Sequence, residues 1–342
     1  MTARKKFSAA KLLEETGDWE AAEKAYQELT GLPGKMSVQA SRRRAACLMH
    51  LQRWEDMRSE VDRVFSADAQ ILDADISRRL IVLSYERNRE EAYRMIEAHI
   101  VQRLENTPEG TSRDGHIVLT AAAPKTGSTS LATALAAALG AERISFLCFQ
   151  TFSVSRGLPS IPSLNLLRGA NIVNHCHLAP DPDFMEQLRK MPWVRVAVHF
   201  RHPADTVLSV VDMVLRRRAP IMLMGEPRLV GADRDYVMKW ALDRYLPDLL
   251  TWMQDWLGYV DAGHPSILGL TTMAQMKALG QDEMVKQLLQ KAELPCREKF
   301  QSAPKRTRNR LTGDAKIEYT TGQRAHVQSA IPQALADRFG WT

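Results

Sequence analysis

A short buried strand that runs through a glycine-containing loop into a helix constrains the fold of this chain more than any other feature. His116–Ala122 reads HIVLTAA, a run of apolar and β-branched residues bounded by Gly115 and Pro124 and typical of a buried strand. Leu131–Gly140 reads LATALAAALG, an alanine-rich helix with a glycine as its stop signal. Strands that are apolar throughout belong to parallel sheets covered by helices on both faces. We therefore predict an α/β fold with a parallel sheet flanked by helices.

The loop between these two elements has the composition of a phosphate site. It reads Pro-Lys-Thr-Gly-Ser-Thr-Ser from Pro124 to Ser130. Gly127 lets the backbone approach a ligand closely, and the amides that begin the following helix favour an anion. Lys125 adds a positive charge before the glycine, so the order differs from GxxxxGK[ST]. Four hydroxyl groups add donors, although a plain helix cap would also explain one of them: Thr126, Ser128, Thr129 and Ser130.

A second strand and helix carry a comparable arrangement. Val194–Phe200 reads VRVAVHF and is followed by Arg-His-Pro-Ala-Asp and the helical run TVLSVVDMVLRRR. Arg201 at the strand end offers a planar fork to a phosphate, and Ser209 on the helix offers a hydroxyl. We expect Asp205 to cap this helix.

In this order the two segments resemble the 5′-phosphosulfate loop and the 3′-phosphate segment of sulfotransferases that use 3′-phosphoadenosine 5′-phosphosulfate (PAPS). The resemblance extends over residues 116–342 and implies the nucleotide-binding fold of that family. It implies that Lys125 to Ser130 bind the 5′ end of PAPS, that Arg201 and Ser209 bind the 3′-phosphate, and that adenosine 3′,5′-bisphosphate is the product. Lys125 would also stabilise charge on the leaving oxygen, as a catalytic residue.

Two further parts of the resemblance lie nearer the carboxyl terminus. Residues 304–314 read PKRTRNRLTGD and resemble the C-terminal phosphate loop of the family, which places Arg310 and Gly313 at the 3′-phosphate. A solvated basic loop is the alternative. Thr271, after the apolar run SILGL, matches a position near adenine, whereas Ser130 stands where many members have a stacking tryptophan.

The candidate base lies between the two phosphate segments. Residues 172–180 read IVNHCHLAP, which resembles the Lys-x-His-Leu-Pro segment of the cytosolic sulfotransferases. On that match His177 is the general base and His175 replaces the lysine, and a histidine that titrates near neutrality suits proton removal from an acceptor. The alternatives are structural histidines or two zinc ligands, but without further ligands at metal spacing we predict no metal.

The N-terminal third carries a repeat. Trp19, Trp54 and Arg89 are spaced 35 residues apart, and each is followed by a glutamate. A period near 34 residues built of helical pairs resembles a tetratricopeptide array, in which stacked neighbours supply the core. We predict a helical repeat domain over residues 1–110 and a sulfotransferase domain over residues 111–342. The run Arg42 to Arg44 is expected to lie on a solvated helix face.

The charge and composition of the chain limit the classes of function that remain. Residues 1–110 hold 18 Lys and Arg against 19 Asp and Glu, whereas the rest holds 28 against 21, which agrees with an anion site in the second part. The N-terminus lacks an apolar signal region and no stretch reaches 18 apolar residues, so we expect a cytoplasmic protein without a membrane span. The basic residues have no interleaved aromatic platform for nucleic acid.

The sequence thus predicts a PAPS-dependent sulfotransferase that acts on a hydroxyl or amine of a protein, peptide, glycan or small alcohol. The repeats offer a surface for a protein partner or for the chain's own catalytic domain. Two alternatives stay open. One is a P-loop kinase, which the Lys-before-Gly order disfavours, and the other is an inactive repeat-based scaffold, which the retained Lys125, Arg201, Ser209 and His177 disfavour.

Overall fold

The computed structural model describes residues 2–67, 71–105, 115–149, 157–216, 226–229, 231–302 and 317–341. Its N-terminal region is helical. The elements there are α1 (Ala3–Thr16), α2 (Trp19–Thr30), α3 (Lys35–Leu51), α4 (Trp54–Ala67), α5 (Asp73–Tyr85) and α6 (Arg89–Glu105). Each helix packs against the next one along the chain, which gives three successive hairpins.

The 35-residue period corresponds to one hairpin. Trp19, Trp54 and Arg89 are the first residues of α2, α4 and α6, the second helix of each pair. Trp19 stacks on His50 with ring centroids 4.0 Å apart, and Trp54 stacks on Tyr85 at 5.8 Å. In both cases the ring at the start of one hairpin's second helix covers the end of the next hairpin's first helix, so the repeated tryptophan joins neighbouring hairpins.

The arginine run on α3 does not form a solvated face. Arg44 is 9% exposed and binds Glu23 of α2 at 2.7 Å and Glu60 of α4 at 2.6 Å. Arg42 pairs with Asp75 of α5 at 2.8 Å, and Arg43 pairs with Glu14 of α1 at 3.0 Å. The expectation of a solvated face is therefore wrong, because the three arginines face carboxylates on four other helices.

The C-terminal part is α/β. The strands are β1 (Ile117–Ala122), β2 (Glu142–Ile144), β3 (Cys148–Phe149), β4 (Leu158–Pro159), β5 (Ile172–Asn174), β6 (Val194–Phe200) and β7 (Ile267–Thr272). The helices are α7 (Ser128–Leu139), α8 (Ile161–Leu166), α9 (Pro182–Leu188), α10 (Pro203–Leu215), α11 (Arg234–Trp240), α12 (Leu246–Asp261), α13 (Met273–Leu279), α14 (Gln281–Lys291), α15 (Thr321–Ala330) and α16 (Gln333–Phe339). A 3₁₀ turn spans Pro227–Leu229, and a π turn spans Ala241–Tyr245.

Five strands form one parallel sheet in the order β2-β5-β1-β6-β7, which confirms the predicted parallel sheet. Alternate residues of β1 lie on opposite faces of the sheet. Ile117 and Leu119 join the core shared with α10 and α12, whereas Val118 packs with α7 and α14. Every residue of β1 is buried because the strand is central and helices cover both faces.

The last hairpin packs on the α/β part. Ile96 and Ile100 of α6 belong to the same apolar core as one face of the sheet. Tyr93 donates its hydroxyl to the carbonyl of Leu158 at 3.1 Å, and Ser160 donates to Glu97 at 2.9 Å. The repeat region therefore docks on the chain's own sheet domain through α6. The predicted boundary near residue 110 lies outside the described residues.

No helix in the described ranges is both long and apolar enough to cross a membrane.

Candidate functional site

The candidate site lies where the parallel strands end, the edge at which open α/β sheets bind ligands. β1 leads into the loop at Lys125, and α7 begins at Ser128, three residues earlier than the sequence suggested. The first turn therefore holds Ser128, Thr129 and Ser130, whose amides have no acceptor within the helix. Gly127 precedes them without a side-chain cap, so the amides of this turn are available to an anion.

Two residues of the loop have left-handed backbone conformations. Lys125 has φ +66° and Gly127 has φ +101°. This conformation is unfavourable for a lysine, and such strain is found at binding sites where the surroundings enforce it. A Cβ on Gly127 would lie 2.4 Å from the Cε of Met273, the flexible end of a side chain that can shift, so the positive φ is the main reason for a glycine at this position. The hydroxyl of Thr126 is buried and donates to the carbonyl of Ala123 at 2.7 Å, which closes the turn.

Arg201 joins the two predicted phosphate segments. Its Nη1 donates to the carbonyl of Lys125 and to the hydroxyl of Ser209, both at 2.9 Å. The two segments meet because β1 and β6 are neighbours and end at the same edge of the sheet. Three predicted residues thus lie in one hydrogen-bonded group.

The charge of Arg201 is only weakly neutralised by the described residues. Its Nε is buried and has no hydrogen-bond partner among them. The nearest carboxylate oxygen, Oδ2 of Asp205, lies 3.6 Å away on a side chain that is 50% exposed. A guanidinium in this position has unused donors and positive charge for an anion.

The helix cap differs from the expected one. The Nδ1 atom of His202 accepts the amide of Ala204 at 3.1 Å and caps α10. Asp205 lies in the first turn of the helix beside Arg201, so the expectation that Asp205 is the cap is wrong. Pro203 at the first helical position has no N–H, so the amide of Ala204 is the first one in the helix that a capping side chain can accept.

The two candidate bases follow β5 and have different partners. His175 places Nε2 at 2.9 Å from the hydroxyl of Ser128, at the first turn of α7. Burial lowers the pKa of His175 to about 3, with smaller contributions from the charges of His177 and Arg143. His175 is therefore neutral at physiological pH and contacts the first turn of α7.

The hydrogen bond of His177 fixes which of its two ring nitrogens carries the proton. Its Nδ1 lies 2.6 Å from the carbonyl of Ala122, which can only accept, so Nδ1 carries the proton. Nε2 then keeps a lone pair. Burial lowers the pKa of His177 below its ordinary value, against the hydrogen bond to Ala122, which raises it. The neutral form with a basic Nε2 is thus present at pH 7.

Thr120 in the middle of β1 holds this segment in place. Its hydroxyl accepts the amide of Cys176 and donates to the carbonyl of Cys176, both at 3.0 Å. Thr120 is fully buried. Sequence reasoning missed Thr120, although a lone hydroxyl inside an otherwise apolar strand was a visible signal.

Sequence reasoning also missed the role of His199, the residue two before Arg201. It is fully buried and places Nε2 at 3.0 Å from the carbonyl of Thr126 and Nδ1 at 2.8 Å from the hydroxyl of Thr271. Thr271, predicted near adenine, is 4% exposed and has its hydroxyl engaged by His199 and by the carbonyl of Val198.

Arg310 and Gly313 lie outside the described residues, and their predicted contacts stay predictions. In the described part of the chain, no group of three or more His, Cys, Asp or Glu side chains is arranged to hold a metal ion. The four cysteines are free thiols, three of them buried: Cys47, Cys148, Cys176 and Cys296.

Comparisons with protein-family models, with curated proteins and with solved structures find no significant match to this chain.

Proposed function

We propose that this chain is a sulfotransferase that moves the sulfuryl group of PAPS to a hydroxyl or amine of an acceptor. The observation that carries the proposal is the bridge from Arg201 to the carbonyl of Lys125 and the hydroxyl of Ser209. It joins, at one edge of the sheet, the two segments that we propose bind anions, as a ligand with two separate phosphate groups requires.

The residues present fit such a nucleotide. The amides of Ser128 to Ser130 and the ammonium of Lys125 would hold the 5′ end. The unused donors of Arg201, together with Ser209, would hold the 3′-phosphate. When bound, PAPS supplies an activated sulfuryl group on a good leaving group.

The chain's own residues would then supply orientation and proton transfer. Nε2 of His177 takes the proton of the acceptor hydroxyl as the acceptor oxygen bonds to sulfur. The bond between sulfur and the 5′-phosphate oxygen breaks, and its electron pair leaves with adenosine 3′,5′-bisphosphate. Lys125 stabilises the charge that develops on this leaving oxygen. Positioning and electrostatics supply most of the rate in such in-line displacements.

The hydrogen bonds of the two histidines support the assignment of His177 rather than His175 as the base. Nε2 of His175 is within bonding distance of Ser128, whereas Nδ1 of His177 is engaged and leaves Nε2 for the acceptor. His175 would instead hold the first turn of α7. We propose that the repeat region is tetratricopeptide-like. It contacts the α/β part through α6, and we propose that the helices before α6 present a protein acceptor.

The proposal is tested with the full chain in two steps. Calorimetry compares adenosine 3′,5′-bisphosphate with ATP, and transfer of ³⁵S from labelled PAPS is then followed in an extract of acceptors. We expect bisphosphate binding, and loss of transfer in Lys125→Ala and His177→Ala but not in the exposed controls Lys190→Ala and His326→Ala. Binding of ATP alone would establish the kinase alternative. A folded chain that binds neither nucleotide would establish the scaffold.

A further inference from the structure

His199 lies directly beneath the phosphate loop and joins it to the neighbouring strand. Nε2 is 3.0 Å from the carbonyl of Thr126, and Nδ1 is 2.8 Å from the hydroxyl of Thr271 on β7. A Cβ built on Gly127 would lie 3.5 Å from Nε2, so the imidazole packs directly against the glycine. The ring is fully buried.

The partners of His199 fix which nitrogen carries its proton. Burial lowers the pKa of His199 to about 4, so the ring is neutral and carries one proton at pH 7. The carbonyl of Thr126 can only accept, which places that proton on Nε2. Nδ1 then accepts from Thr271, whose hydroxyl is nearer to Nδ1 than to the carbonyl of Val198, which lies at 3.2 Å.

This hydrogen bond orients a complete peptide unit. The peptide between Thr126 and Gly127 is trans, like every described peptide in the chain. In a trans peptide the C=O and the N–H point in opposite directions. Because His199 holds the carbonyl of Thr126 toward the core, the amide of Gly127 points away from the core. No described residue accepts from that amide, and it lies next to the available amides of the first turn of α7.

We propose that His199 is a positioning residue that aims the amide of Gly127 at the 5′-phosphate of the nucleotide. The inference rests on the proposed function, because it names a device for the same ligand. Arg201 holds the preceding carbonyl, that of Lys125, so two consecutive peptides of the loop are fixed by side chains from the end of β6. Thr271 acts indirectly, because its contact with His199 keeps the proton of that ring on Nε2.

The test distinguishes contacts to the 5′-phosphate from contacts to the 3′-phosphate, because only one of its two ligands carries a 5′-phosphate. Calorimetry measures binding of adenosine 3′,5′-bisphosphate and of adenosine 3′-monophosphate to the wild type, His199→Leu and His199→Gln. The ratio compared is the affinity for the bisphosphate divided by the affinity for the 3′-monophosphate. We expect His199→Leu to lower this ratio about tenfold to a hundredfold, the effect of losing a hydrogen bond to a charged group. Binding of the 3′-monophosphate should hold steady, and His199→Gln, which can donate from the same place, should recover most of the ratio.

His264 supplies a matched control. It is also a buried histidine whose Nε2 faces a carbonyl, that of Met185 at 3.1 Å, but it precedes β7 at the opposite end of the strand. His264→Leu should destabilise the fold and leave the ratio unchanged. An equal fall of the ratio in both leucine variants would overturn the inference, because it would show a general structural effect.

Thr271→Val is the second test and is required if His199→Leu does not fold. It removes the hydroxyl that faces Nδ1 and keeps the imidazole, so we expect the ratio to fall about threefold to tenfold. A wild type that binds no bisphosphate would refute the proposed function itself. A wild type that binds it while the folded His199 and Thr271 variants keep the full ratio would refute only the positioning role.

Discussion

Replacing Arg201 with lysine keeps the positive charge at the end of β6 and removes the planar fork. In the structure Nη1 alone bonds the carbonyl of Lys125 and the hydroxyl of Ser209, which leaves the second amino group for a ligand. A lysine ammonium is a single point on a flexible stem and cannot make the same set of contacts. The substitution therefore tests geometry rather than charge.

The expected loss follows from the contacts that disappear. A hydrogen bond to a charged group contributes about 1.5–3 kcal/mol, and about 1.4 kcal/mol corresponds to a tenfold change in affinity. Losing one such bond to the 3′-phosphate should raise the Kd of adenosine 3′,5′-bisphosphate about tenfold to a hundredfold. Adenosine 5′-monophosphate lacks that phosphate, and its Kd should change less than about threefold.

Calorimetry with both nucleotides is the assay, and Arg216→Lys is the matched control. Arg216 follows the same helix, α10, and pairs with Asp212 at 2.8 Å, so its replacement changes an ion pair on the helix without touching the loop. If Arg201→Lys weakens both nucleotides equally, Arg201 acts only by holding the loop through Lys125. If it weakens neither, the assignment of the 3′-phosphate to Arg201 is wrong.

Three further predictions concern stability, ligand binding and protonation. Arg44→Met should lower the free energy of unfolding by about 3–5 kcal/mol in chemical denaturation, because it leaves the buried carboxylate of Glu23 and a second one on α4 without their main partner. Gly127→Ala should weaken bisphosphate binding about tenfold by calorimetry, since an alanine disfavours the positive φ and has to displace the flexible end of Met273. NMR titration of His177 should give a midpoint below the ordinary histidine value of about 6.5, so a rate that needs the neutral ring persists at pH 6.5 and falls at lower pH.

Each of these predictions has an outcome that contradicts it. Unchanged stability in Arg44→Met would mean that the carboxylates find water or other partners. Gly258→Ala is the control for the loop glycine, since Gly258 lies within α12 without a positive φ and a Cβ built on it meets nothing within 4 Å, and an equal loss of binding there would refute the argument from φ. A His177 midpoint above 6.5 would mean that the ring is better solvated than its surroundings indicate.

Local patterns determined much of the fold. The apolar run before Pro124 and the alanine-rich run after Ser130 specify a strand and a helix, because burial on both faces and helix propensity depend mainly on nearby residues. The strand over Val194–Phe200 agrees with its predicted bounds, and the 35-residue period marks the hairpins. The start of α7 was placed three residues late, because the hydroxyl residues that favour a cap also fit a first turn.

The candidate site was only partly predictable. Lys125, Arg201, Ser209 and His177 stand out in the sequence because charged and titratable groups at strand ends have a direct chemical interpretation. His199 did not, because a histidine inside an apolar strand looks like a core residue until its two hydrogen-bond partners are known. Those partners are separated from it by more than 70 residues along the chain.

The sequence by itself therefore determined the strand–loop–helix units at β1 and β6, the repeat and the types of side chain at the strand ends. The tertiary structure decided which of them meet. Arg201 bonds the loop because the strand order places β6 beside β1, and the arginines of α3 find carboxylates because the hairpins stack. The physical reason is one of range: propensity and periodicity act over a few residues, whereas long-range hydrogen bonds and ion pairs depend on how the packed elements are arranged in space.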